Sequence, residues 1–235
     1  MSLLKLITFR QQAEDEQLPN IVTNGLMLHL DAGNPASYPG TGTTWTDLSG
    51  NGNNGTLVGP TYSSNNGGYF SLDGTNDHFT LGSFFNYPAF TLELAVYINT
   101  NQESLSNIVD NRHLPNFTLQ RSGNFTNGHQ YTWYCVAPST VYSQVSVNLL
   151  SNRWYYLTLM FTGSRARVFV NGVYLNQGSV ISGISYSSQS LYFGAWRGIT
   201  RFFSGRLGVV VAYDRALEDS EVLNNFEALR GRYGI

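Results

Sequence analysis

The chain has 235 residues, 42% apolar and 14% aromatic, a length and content that suit one sizeable core and exclude a disordered polymer. Lys and Arg number 13 and acids 15, while 23 Asn, 23 Ser, 19 Thr and 24 Gly supply most of the polar surface. This mixture disfavours helical bundles and favours many short strands, and a net charge of -2 lacks the basic excess of a nucleic-acid or membrane-surface protein.

Residues 1–20 differ from the rest. Met1-Ser-Leu-Leu-Lys-Leu-Ile-Thr-Phe9 is followed by Gln11-Gln-Ala-Glu-Asp-Glu-Gln17 and by Leu18-Pro19-Asn20 as punctuation. Lys5 interrupts the apolar run and no small-residue cleavage site follows, so it does not read as a signal peptide. It is expected to be an arm, either a disordered tail or a segment whose Leu3, Leu4, Leu6, Ile7 and Phe9 order against a neighbouring subunit. Residues 21–235 are expected to form one domain. No run approaches the 18 apolar residues that would span a bilayer, so a soluble protein is expected.

Gly25–Leu30 opens the strand pattern, and a turn-rich segment, Asp31–Gly55, follows. Strands are expected at Gly68–Leu72, His78–Leu81, Phe90–Ile98, Phe117–Gln120, Tyr131–Val136, Trp154–Phe161, Ala166–Val170, Val173–Leu175, Leu191–Ala195 and Leu207–Tyr213. Trp154–Phe161 is apolar on both alternating faces, which places it centrally. Asn171-Gly172 between two β-rich runs predicts a type I′ hairpin. Asp219–Leu229 is the one helix expected, with Val222, Leu223, Phe226 and Leu229 on one stripe. Cys135, the only cysteine, excludes an internal disulfide and reads as a packed thiol.

Four stretches together resemble the laminin G-like, concanavalin A-like jelly-roll family. They are Gly25–Pro35 with Trp45–Leu57, Tyr69–Phe79, Arg153–Gly172, and Phe203–Leu217 followed by Glu221, Val222 and Phe226. The resemblance implies an all-β fold, two antiparallel sheets in a sandwich, with one short C-terminal helix. Glu218 departs from it, standing where the family has Ser or Thr as helix cap, so a loosely held helix start is expected. The spellings Leu30-Asp-Ala-Gly-Asn-Pro35 and Asp47-Leu-Ser-Gly-Asn-Gly-Asn-Asn-Gly55 are similar to domains of bacteriophage virion proteins and bacterial surface proteins. The reading drawn from this is a non-enzymatic virion protein that decorates a capsid or tail, attached to other virion proteins through the arm and forming a homo-oligomer. The alternative is a carbohydrate-binding lectin or adhesin at the cell surface or outside the cell.

Chemistry is sparse in the sequence. Hydrolases of this fold carry alternating carboxylates on one strand, whereas Thr91–Tyr97 offers Glu93 alone, and no catalytic residue is assigned. Gly50, Gly52 and Gly55 spell a dinucleotide fingerprint but precede a strand-like Thr56-Leu57-Val58, so they are turn chemistry. His29, His78, His113 and His129 are isolated. Asp31, Asp47, Asp73 and Asp77, with the Asn51–Asn54 loop, are candidate calcium oxygens; the competing and preferred reading is that they bond their own backbone in turns. For a glycan, Trp133, Tyr142, Trp196 and Arg197 are the candidate contacts. Residues 111–213 hold eight Arg and no acid, which leaves open one cationic face or a charge dispersed by strand interleaving, the latter preferred.

Overall fold

The computed structural model describes residues 19–83, 86–111, 117–184 and 190–235. Among the described residues, sixteen strands precede an α-helix. They are β1 (Leu26–Asp31), β2 (Thr44–Trp45), β3 (Gly55–Val58), β4 (Thr61–Ser63), β5 (Tyr69–Asp73), β6 (His78–Leu81), β7 (Phe90–Ile98) and β8 (Asn107–Asp110). The second half supplies β9 (Phe117–Phe125), β10 (Gly128–Val136), β11 (Tyr142–Leu150), β12 (Arg153–Phe161), β13 (Ala166–Val170), β14 (Val173–Gln177), β15 (Leu191–Phe193) and β16 (Ser204–Tyr213), followed by α1 (Asp219–Leu229).

Two antiparallel sheets result. One runs β14-β13-β12-β7-β16-β5-β4, with β1 added to β16; the other runs β11-β10-β9-β8-β15-β6-β3-β2. They face each other across a core of alternating side chains such as Leu92, Leu94 and Val96 from one sheet and Leu119, Tyr131 and Trp133 from the other. The first sheet is buried on its far side too. There Ala95, Trp154, Tyr156, Met160 and Val211 meet Val222, Phe226 and Leu229 of α1. This explains why β12 reads as apolar on both faces, and it lies between β13 and β7 as expected.

The hairpin and the helix match their sequence signals. Asn171 and Gly172 have φ of 51° and 74°, and α1 spans Asp219–Leu229. The helix start is nevertheless fixed, contrary to the expectation from Glu218. Glu221 accepts the Glu218 N–H at 2.8 Å and is itself gripped by the Arg215 guanidinium at 2.6 and 2.7 Å, so the third helical residue does the capping.

β3 holds the strand-like Thr56–Val58, and four strands add to the expected set: β2, β4, β8 and β11. The arm residues Leu3, Leu4, Leu6, Ile7 and Phe9 lie outside the described residues. The described arginines of 111–213 do not share one sheet: Arg167 pairs with Asp219, Arg206 lies over the rings of Tyr69 and Tyr97, and Arg121 belongs to the opposite sheet.

Candidate functional site

The turn-rich segment after β1 is organised by Asp47. Its Oδ1 accepts the N–H groups of His29 and Ser49, each at 2.9 Å, and its Oδ2 accepts Asn53 N–H at 3.0 Å and Ser49 Oγ at 2.8 Å. Asn53 Nδ2 then donates to the Met27 carbonyl at 2.8 Å, fastening the loop to β1. Asp31 is held by Arg232 and by Gly33 N–H. Asp73 accepts Thr75 N–H at 2.7 Å, which holds its carboxyl below the usual range, and Asp77 accepts Asp73 N–H at 3.0 Å. Among the described residues no three His, Cys, Asp or Glu side chains gather as a metal set.

Glu93 lies on the far side of the first sheet, sealed beneath α1. Tyr156 Oη (3.1 Å), Thr158 Oγ1 (2.9 Å) and Asn225 Nδ2 (2.6 Å) all donate to its carboxylate. Burial nevertheless pushes it up to about 7. Asn225 also accepts Val22 N–H, so this network ties the start of the domain to the helix. Glu93 is therefore part of the fold, without access to a substrate.

The glycan candidates separate. Trp133 is fully buried between the sheets, its Nε1 donating to the Met160 carbonyl at 3.3 Å, so it is corrected from a surface contact to a core residue. Tyr131, Trp133 and Cys135 alternate inward on β10, which also confirms Cys135 as a buried free thiol. Tyr142 is 51% exposed on the outermost strand of its sheet, against Tyr134. Trp196 and Arg197 are together, with the guanidinium 5.5 Å from the indole, and Arg201 covers the same ring at 5.0 Å.

A polar cleft of about 510 Å³ opens at one end of the sandwich. It is lined by Asp73 and Gly74 at the end of β5, residues 100–103 after β7, Arg121 and Asn124 on β9, His129 on β10, and Ser204 at the start of β16. The walls are preorganised. Gln102 accepts Ser204 N–H at 3.2 Å and donates to the Ser204 and Asn99 carbonyls, and Glu103 accepts Phe202 N–H at 2.7 Å. Arg121 donates to the Glu103 carbonyl, the Asn124 amide oxygen and His129 Nδ1. His129 Nε2 donates to the Thr100 carbonyl at 2.8 Å, and Nδ1 lies 2.8 Å from the Asn124 amide oxygen. Burial holds His129 below the ordinary imidazole value, and the Arg121 charge acts in the same direction. Trp196, bridged to Thr200, is not among the residues that line the cleft.

Sequence reasoning missed this site, apart from Asp73. His129 stood as an isolated histidine, because the lining comes from five strands and the loops at their ends, with no local spacing to mark it.

With this geometry in view, the model of the concanavalin A-like lectin/glucanases superfamily matches residues 73–223. The chain belongs to that superfamily. No curated protein sequence matches it. Among solved structures, the botulinum neurotoxin type G receptor binding domain aligns with TM-score 0.67 at 14% identity, over 87% of this chain and 51% of that one. The binding domain of botulinum neurotoxin DC in complex with SialylT aligns with TM-score 0.67 at 13% identity, over 88% and 52%. The binding domain of Paraclostridial mosquitocidal protein 1 gives 0.66 at 16%, over 87% and 52%. The superfamily domain described here thus spans about half the length of these chains, and at such identities the likeness is one of fold.

Proposed function

We propose that this domain is a non-catalytic, lectin-type module that binds a glycan in the cleft formed by Asp73, Gln102, Glu103, Arg121, Asn124 and His129. The observation that carries the reading is the convergence of fixed amides, carboxylates, a guanidinium and an imidazole in one open cleft. Sugar hydroxyls are recognised by such planar polar groups. The lectin fold of the superfamily supports the same reading over a purely scaffolding one. The virion remains the carrier suggested by the sequence resemblance, with glycan capture as the work of the domain there; a cell surface is the alternative carrier.

The test is a broad glycan array with the full chain, followed by titration of any hit against Arg121→Ala. Saturable binding that weakens at least tenfold in Arg121→Ala, with unchanged thermal unfolding, is the expected result. Silence across the array, or hits indifferent to Arg121, would overturn the proposal.

A further inference from the structure

His129 stands between neighbours that make opposite demands on one nitrogen. Its Nε2 faces the Thr100 carbonyl at 2.8 Å, so the neutral ring keeps its proton there and leaves Nδ1 as the nitrogen with a lone pair. Two groups converge on Nδ1. Arg121 Nε–H donates to it at 3.3 Å, and the Asn124 amide oxygen, an acceptor, lies 2.8 Å away. The same oxygen receives Arg121 Nη2, which fixes the orientation of the amide. Nδ1 therefore satisfies one neighbour at a time. Without a proton it accepts from Arg121 and confronts the Asn124 oxygen; with a proton it donates to Asn124 and sets an imidazolium against a guanidinium.

A displaced Arg121 has acceptors within the same cleft. Its Nη1 already donates to the Glu103 carbonyl, and the other charged groups that line the cleft are the exposed carboxylates of Glu103 and Asp73. Among the described residues neither carboxylate is in an ion pair. Opposite His129, β11 sets the apolar Leu149, which brings no competing charge. Burial and the Arg121 charge hold the ring below the ordinary imidazole value, so the exchange belongs to acid conditions.

We infer that His129 is the proton switch of this cleft: on taking up a proton from solvent at Nδ1 it exchanges Arg121 for Asn124, and the guanidinium turns onto the Glu103 and Asp73 carboxylates, so that acid releases the bound glycan. The release rests on the glycan reading above, whereas the exchange at Nδ1 stands without it. The two positions of Arg121 are the bistable element, and the proton biases them.

Proton–nitrogen NMR of the full chain, without ligand, tests the exchange between pH 4.5 and 8. The nuclear Overhauser contact between the Arg121 side chain and the His129 ring is expected at the alkaline end and is lost at the midpoint of the ring titration. Asn124→Asp, which sets a carboxylate against Nδ1, should raise that midpoint by about one pH unit. A contact that survives the titration, or a ring that does not titrate in this range, overturns the switch. Acid release is read from the affinity for an array hit at pH 7.5 and about one unit below the midpoint. Wild type should bind at least tenfold more weakly in acid, and His129→Gln, which takes up no proton, should change less than twofold. A hit that needs Arg121 but binds equally at both pH values overturns acid release and leaves the glycan site standing. An array without hits overturns the glycan site, and the Arg121 contact then decides the exchange alone.

Discussion

The Arg232 guanidinium closes on both carboxylate oxygens of Asp31, at 2.6 and 2.7 Å, joining residues 201 positions apart. Asp31 ends β1 and Arg232 follows α1, so this fork fastens the covering layer of the first sheet to its edge strand. Side-chain exposures of 9% for Asp31 and 27% for Arg232 place the pair between a surface bridge and a buried one. Replacing Arg232 by Met keeps much of the stem but leaves a nearly buried carboxylate without its cation. The expected loss is about 2 kcal/mol, below the figure for a fully buried pair because water reaches the site. Urea unfolding of Arg232→Met measures it, and an unchanged midpoint would show the fork to be ornamental.

Glu93 makes stability depend on pH with a stated sign. Its folded value, about 7, lies above that of an exposed glutamate, so between about pH 4.5 and 7 the folded state holds a proton that the unfolded chain releases. Stability from this group is complete at low pH and is lost as pH rises through 7, by about 3 kcal/mol in all. Glu93→Gln keeps an acceptor for Tyr156 and Asn225, and its new N–H₂ can donate to Thr158 Oγ1. Thermal unfolding from pH 5 to 8 is expected to show the two proteins alike at pH 5 and the variant more stable at pH 8. Parallel pH profiles would mean that Glu93 is charged throughout.

What the sequence revealed follows from how each element is buried. β12 was legible because Trp154, Tyr156 and Met160 face one core and Tyr155, Leu157 and Leu159 the other. The α1 stripe was legible for the same reason. β11 was missed although it alternates, because its outward residues, Tyr142, Gln144, Ser146 and Asn148, resemble a loop in a chain so rich in Ser and Asn. β8 buries Asn107 and Asp110, polar types that a four-residue window does not read as strand. The cleft was illegible because Arg121, His129, Gln102 and Ser204 meet only once two sheets have been paired in register. Trp133 and Trp196 look alike in sequence, and only the strand neighbours decide which one is inside.

Gly172 is constrained twice. Its φ of 74° is the left-handed conformation that the hairpin requires, and Phe226 occupies the space a side chain would need. Gly172→Ala is therefore expected to cost about 1–3 kcal/mol from backbone strain and displacement of the Phe226 ring together. Gly50→Ala, with a comparable φ of 88° but no atom within 4 Å, should show the strain component alone. Chemical unfolding of the two variants side by side separates the contributions, and equal losses would remove the packing argument.

Calcium is expected to leave stability unchanged, and Asp47 gives the reason. A cation needs carboxylate lone pairs free to face it, six to eight oxygens in all. Both oxygens of Asp47 instead receive donors, two N–H groups on one and an N–H and a hydroxyl on the other, and these would point their hydrogens at an incoming ion. Asp31 is neutralised by Arg232 in the same way. Thermal unfolding with millimolar calcium and with chelator should therefore coincide. Asp47→Asn should lower the midpoint in both, since an amide nitrogen in place of one oxygen faces donors instead of accepting them. A midpoint raised by calcium in the wild type and indifferent to it in Asp47→Asn would instead make this loop a cation site.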